Sequence, residues 1–162
     1  MTRSASEPAA ANDYRSEHVA LLLRSHRRLT GRDLLAPAAS PAATARALYH
    51  TPFVVLSHDT AADPVFTYAN LAAQRVFAMR WHQIVGMPSR YSAEAPARDE
   101  RQRLLERVSR DGYIDDYSGV RIAGTGQRFS IANATVWNLI GTDEQVVGQA
   151  ATFSEWTPLG DS

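Results

Sequence analysis

The sequence predicts an α+β domain: a five-stranded antiparallel sheet with short helices inserted between strands two and three, preceded by an amphipathic helix. Three observations carry this. Apolar residues recur at helical spacing over residues 16–30; two β-rich runs follow at 53–59 and 65–69; three more, about 113–122, 127–139 and 146–154, close the chain after a helix-forming interval.

Length and composition frame that class. A chain of 162 residues, 44% hydrophobic, suffices for one buried core, and it divides into an unstructured tail over 1–14, one domain over 15–157 and a short tail over 158–162. Seventeen basic residues balance seventeen acidic ones, so no overall field draws in nucleic acid, an anionic membrane or acidic substrates. The absence of lysine removes Schiff-base chemistry. The absence of cysteine removes disulfides, thiolate nucleophiles, cysteine-ligated zinc and cysteinyl-flavin photochemistry. MTRSASEPAAANDY lacks the apolar core of a signal peptide, and no run reaches the roughly 20 apolar residues that span a bilayer. The expectation is a cytoplasmic protein with no membrane contact and no direct nucleic-acid contact.

The elements follow from local chemistry. Val19, Leu22, Leu23, His26 and Leu29 fall at i, i+3, i+4, i+7 and i+10, and Gly31 stops that helix. Ser40-Pro41 opens a short helix through Tyr49, serine capping and proline at the first helical position. FVVLSHD and VFTYA read as strands around the DTAADP turn, a hairpin by the simplest pairing. Asn70 caps a helix that buries Ala73, Val76 and Phe77; RWHQIVG adds a turn ended by Gly86, and Pro88 forbids continuation. SRYSAEAPA is irregular, and Pro96 then starts a charged helix with Leu104, Leu105 and Val108 as its apolar stripe and Gly112 at its end. Pairs such as Asp99 with Arg103 make the rest of that helix a solvated face.

Alternation divides the late strands into faces. In the fourth strand it gathers Phe129, Ile131, Asn133, Thr135 and Trp137 on one side and Ser130, Ala132, Ala134 and Val136 on the other. In the fifth it sets Val147, Gln149, Ala151 and Phe153 against Gly148, Ala150, Thr152 and Ser154. The bulky face is expected to meet the inserted helices. The small-residue face is expected to receive the helix at 16–30, in cis or from a second subunit.

A five-stranded antiparallel sheet whose first two strands are separated from the last three by short helices resembles a PAS domain, as does YAN at 68–70. HVALLLRSHRRLTGRDLL, SHDTAADPVFTYAN, MPSRYSAE, YSGVRIAGTGQRFSIANATVWNL and GQAATFSEW together resemble the MEKHLA domain. That PAS-like family occurs as stand-alone bacterial proteins and at the C-terminus of plant class III homeodomain-leucine zipper regulators. The resemblance covers roughly residues 15–156 and implies a sensory or regulatory binding module, without catalytic residues to carry over.

Each candidate site residue has a plain structural alternative. Asn133 and Gln149, assigned to the bulky face, either satisfy their amides within the protein or aim them at a ligand. Trp137 is able to stack on a planar ligand, although core packing is the default for an aromatic at that spacing. Arg121 and Arg128 flank the AGTG turn and as a pair would grip a carboxylate or phosphate; exposed arginines, or salt bridges to Asp115 and Asp116, are the simpler reading. Arg90 lies where a PAS-like pocket would be bordered, or pairs with Glu94. His82, beside Trp81, is where such a fold would present an axial ligand to haem, while His58, Asp59 and Asp63 lack metal-ligand spacing. Tyr68 and Asn70 of the YAN triplet complete the ligand-contacting set: Tyr68, Asn70, Trp81, His82, Arg90, Asn133, Trp137 and Gln149.

Two readings from different classes follow. In one, a cavity between the bulky face and the inserted helices binds a small, mostly apolar molecule, whose identity and any cofactor the sequence leaves unnamed. In the other, the core is filled and the small-residue face makes a homodimer or docks a regulatory partner. A third reading, a cone-shaped isomerase or hydrolase, stands below both, because such folds usually place long helices before the sheet and begin with other strand connectivity; separately, GTG at 124–126 joins two strands and lacks a phosphate-binding helix terminus.

Overall fold

The computed structural model describes residues 6–36, 38–93 and 95–160. In chain order come α1 (Ser16–Thr30), α2 (Pro41–His50), β1 (Val54–His58), β2 (Phe66–Ala69), α3 (Leu71–Val76), α4 (Trp81–Ile84), α5 (Ala95–Asp111), β3 (Tyr113–Ile122), β4 (Arg128–Ile140), β5 (Val146–Phe153) and β6 (Glu155–Pro158). One antiparallel sheet has the order β2-β1-β5-β4-β3, and β6 also pairs with β4. This is the expected α+β architecture with helices between the second and third strands. The sixth strand is an addition with a geometric cause: β4 is 13 residues long and β5 pairs with its C-terminal half from Thr135 onward. After Phe153 the chain turns at Ser154 and β6 covers the other half, Phe129 opposite Pro158 and Ala132 opposite Glu155.

The inner face of the sheet meets α3 and α5, and the outer face is covered by α1. Cross-strand partners point to the same face, so Gln149 opposite both Asn138 and His58, and Ala151 opposite Val136, define the inner side. The alternation expected for β5 holds. The alternation expected for β4 fails at Asn133, which takes a left-handed φ of 54° and has no ladder partner. Between Ile131 and Ala134, β4 carries one residue more than its partner β3 does between Gly119 and Tyr117. That bulge inverts every side chain after it. Phe129 and Ile131 face inward as expected, but Ala134, Val136 and Asn138 join them, while Trp137 and Leu139 turn outward under α1.

The inversion corrects the face assignments of Asn133, Ala134, Thr135, Val136 and Trp137. Asn133 is exposed and donates through Nδ2 to Glu155 Oε2 at 2.7 Å, rather than lying among bulky inner residues. Ala134, assigned to the outer face, is buried on the inner one. The arginine pair also separates: Arg121 lies opposite Phe129 and Arg128 opposite Ile122, so the two side chains leave the hairpin on opposite faces.

The outer face is sealed in cis. Val19 and Leu22 of α1 are buried against it, Trp137 Nε1 donates to Leu22 O at 3.2 Å, and Ser25 Oγ accepts from Ile140 N at 2.9 Å. His18 Nε2 is hydrogen-bonded to Ser57 Oγ at 2.9 Å, which continues to Thr67 Oγ1 at 2.8 Å. Of the segment read as an unstructured tail, residues 6–14 are described. They fold back on α2, with Pro8 buried and Glu7 Oε2 accepting from Tyr49 Oη at 2.6 Å.

Candidate functional site

A cavity of about 70 Å³ lies between the inner sheet face and α5. Leu104 and Leu105 roof it from α5; Phe77 from α3 and Leu56, Ile131, Ala134, Val136, Ala151 and Phe153 from the sheet supply most of the wall. The walls are apolar because α5 places its leucines one turn above Val108, the stripe that its spacing requires. A groove between α5 and the β1–β2 turn shares His58, Leu105 and Gln149 with the cavity and opens it toward solvent.

The polar lining residues are Gln149 toward α5, Tyr117 and Arg121 on β3, and Ser57, His58 and Ser92. On the α5 side, Asn138 Nδ2 donates to Val108 O at 3.0 Å, and Gln149 Nε2 donates to Asn138 Oδ1 at 3.0 Å. The helix carbonyl accepts only, so it fixes the orientation of both amides and ties the end of α5 to the sheet. On the β3 side, Tyr117 and Arg121 line the cavity with Gly119 between them on the same face. The Tyr117 ring lies flat over Gly119, where a Cβ would come within 2.6 Å of Tyr117 Cζ. The Arg121 guanidinium stands 5.3 Å from the centre of that ring. A Cβ at this position would force the Tyr117 side chain to shift.

The sequence-selected residues distribute around this cavity unevenly. Gln149 lines it. Asn70 is fully buried with its amide used within the protein: Oδ1 accepts from Val55 N and Ala73 N at 3.1 and 3.0 Å, and Nδ2 donates to Leu48 O and Phe53 O at 3.1 and 2.9 Å. It therefore pins α2, β1 and α3 together. Tyr68 and Trp81 are buried beside one another, ring centres 5.7 Å apart, and Tyr68 also stacks on His18 at 5.7 Å. Burial pushes the Tyr68 phenol up, and its Oη has no hydrogen-bond partner among the described residues. Trp137 is buried under α1 with its N–H on Leu22 O, away from the cavity. His82 is exposed on α4. Arg90 pairs with Asp63 in the β1–β2 turn, Nε to Oδ1 at 3.0 Å, and stacks on Tyr91 at 4.3 Å; the alternative partner Glu94 lies outside the described residues.

Tyr117 and Arg121 are polar cavity residues that sequence alternation passed over, and Asn138 anchors Gln149 from outside the lining. Asn138 was legible in one way: the β4–β5 hairpin register puts it opposite Gln149.

The cavity is several-fold smaller than the roughly 300–1,000 Å³ of sites for drug-sized ligands. Among the described residues, no group of three or more His, Cys, Asp and Glu is arranged to hold a metal, and no helix is long and apolar enough to cross a membrane.

The model of the MEKHLA domain matches residues 16–158. The chain belongs to the MEKHLA domain family. No curated protein matches this MEKHLA domain. Among solved structures it is similar to a PAS domain from Colwellia psychrerythraea, at TM-score 0.58 and 14% identity over 71% of this chain and 92% of that one. It is also similar to an RNA-binding light-oxygen-voltage receptor, at TM-score 0.63 and 18% identity over 75% of this chain and 35% of that one. The light-state dimer of the fungal blue-light photoreceptor Vivid aligns at TM-score 0.60 and 13% identity over 85% and 93%. These likenesses place the MEKHLA domain in the PAS-like fold.

Proposed function

We propose that this MEKHLA domain is a sensory or regulatory binding module that takes up a small, mostly apolar molecule between the inner sheet face and α5. One observation carries the reading: the inner face, where a compact domain packs its core, keeps a space of about 70 Å³ with apolar walls and a mouth shared by His58, Leu105 and Gln149. At about 24 cal/mol per Å³, leaving that volume unfilled costs on the order of 2 kcal/mol, which a guest of a few heavy atoms restores. Binding, not catalysis, is the role proposed. Photochemistry through a flavin–cysteine bond has no place in a chain without cysteine.

Homodimerisation or partner docking through the outer face is the second reading. It ranks lower because α1 already buries that face within one chain, with Val19 and Leu22 fully packed, so a partner has to displace the helix.

The test is native mass spectrometry and a visible spectrum of protein purified without added ligand, followed by an NMR titration with millimolar pentan-1-ol. A co-purifying mass, or shifts confined to cavity-lining amides and abolished in Ala151→Leu, supports the module. No bound mass and no response to the alcohol sinks it; a dimer that forms or tightens when α1 is displaced then favours the second reading.

A further inference from the structure

We infer that the ligand of the cavity is a small carboxylic acid, held by its apolar body inside and by its carboxylate at the Tyr117–Arg121 end of β3. This rests on the binding-module reading and names the chemistry of its ligand. Arg121 is the one arginine, lysine or acidic side chain lining the cavity among the described residues. One of its guanidinium donors, Nη1, goes to Val120 O at 3.0 Å, and no carboxylate pairs with the group among the described residues. Asp115, a neighbour on the same strand, is engaged by Arg32 at 3.3 Å. No described residue accepts from Tyr117 Oη, so the β3 end of an apolar cavity presents two donor groups whose acceptor the described residues do not supply.

The arrangement is held in place. The Tyr117 ring lies over Gly119, and Arg121 stacks on that ring at 5.3 Å, which orients the guanidinium fork without consuming its remaining donors. A planar carboxylate matches that fork, and a charge-assisted hydrogen bond from each donor is stronger than a neutral one. The cavity of about 70 Å³ holds a tail of a few carbons, since about 10–15 Å³ of such space is enough for one water. Inorganic anions, with no apolar body, forgo that part of the binding.

The probes are pentanoate, pentan-1-ol and inorganic phosphate at matched ionic strength, followed by amide chemical shifts and by thermal unfolding. Pentanoate is expected to bind at least about fivefold more tightly than pentan-1-ol, the margin between charge-assisted and neutral hydrogen bonding, and phosphate to leave the cavity amides unmoved. Arg121→Gln is expected to reduce pentanoate to the alcohol's affinity while leaving pentan-1-ol unchanged, Arg121→Lys to recover part of the preference, and Tyr117→Phe to lower it with the ring retained. Equal affinity of acid and alcohol, or an acid preference that survives Arg121→Gln, overturns the inference and leaves the binding module standing. Phosphate shifting the same amides as strongly as pentanoate also overturns it, since the site is then a surface anion contact. Failure of both pentanoate and pentan-1-ol to bind overturns the module and this inference together.

Discussion

The indole of Trp137 donates to the carbonyl oxygen of Leu22 at 3.2 Å, and the His26 ring packs edge-on against the same indole, ring centres 4.9 Å apart. A residue of β4 is thereby joined to the middle of α1 across 115 positions of sequence. Replacing Trp137 by Phe keeps most of the packing and removes the hydrogen bond, at an expected cost of about 1 kcal/mol; replacing it by Ala costs about 3–5 kcal/mol. Urea unfolding measures both. A Phe variant as damaged as the Ala variant would mean that the hydrogen bond, and not burial, holds α1.

The amide pair on the inner face makes a different demand. Asn138→Leu leaves Val108 O without its side-chain donor and Gln149 Nε2 without Asn138 Oδ1, so about 1–3 kcal/mol of stability should be lost. Hydrogen exchange should rise at the C-terminal turn of α5 before it rises elsewhere. Unchanged protection there contradicts the assignment of this pair as the tether of α5.

Asn133 holds a left-handed φ of 54° at the point where β4 changes partner from β6 to β5. Glycine tolerates that conformation and valine does not. Asn133→Gly is therefore expected to change stability by only a few tenths of a kcal/mol, the exposed Glu155 contact being worth little. Asn133→Val should cost about 1–2 kcal/mol or more. If valine is tolerated as well as glycine, the bulge is absent in solution and the original alternation returns.

His18 controls a pH response. Burial, aided by Arg15, lowers its folded pKa from 6.5 to about 4. The unfolded chain therefore binds the proton first as pH falls, and stability should decline from about pH 6.5 to pH 4 by an amount on the order of 3 kcal/mol, then level off below the folded value. His26, also lowered by burial, adds in the same direction. His18→Gln should flatten the decline relative to the parent protein between pH 7 and pH 4. Parallel curves for the two proteins would show that His18 is not held neutral under α1.

The Tyr68 hydroxyl is buried without a partner among the described residues. Tyr68→Phe removes that unsatisfied group and keeps the ring contacts with Trp81 and His18, so stability should be unchanged or raised by about 1 kcal/mol. A loss of more than about 1 kcal/mol would reveal a buried water or other partner on the hydroxyl.

The features legible in the chain were local and periodic. The heptad-like spacing from Val19 to Leu29, the Ser40-Pro41 start, the Asn70 cap and the alternation of β5 each depend on neighbours within a few positions, and each leaves its mark in the chain. The motif blocks likewise carried the family. Tertiary structure decided the site. Asn133 forms a bulge against β3 where β4 passes from β6 to β5, strands that lie 13–25 residues away and are invisible to alternation. One left-handed residue then moves Trp137 outward under α1 and brings Ala134 and Asn138 inward, since side chains alternate with a period of two. Tyr117 and Arg121 became cavity residues for a similar reason: Gly119 lets a ring lie flat on the strand, a contact fixed by packing that residue types alone leave open.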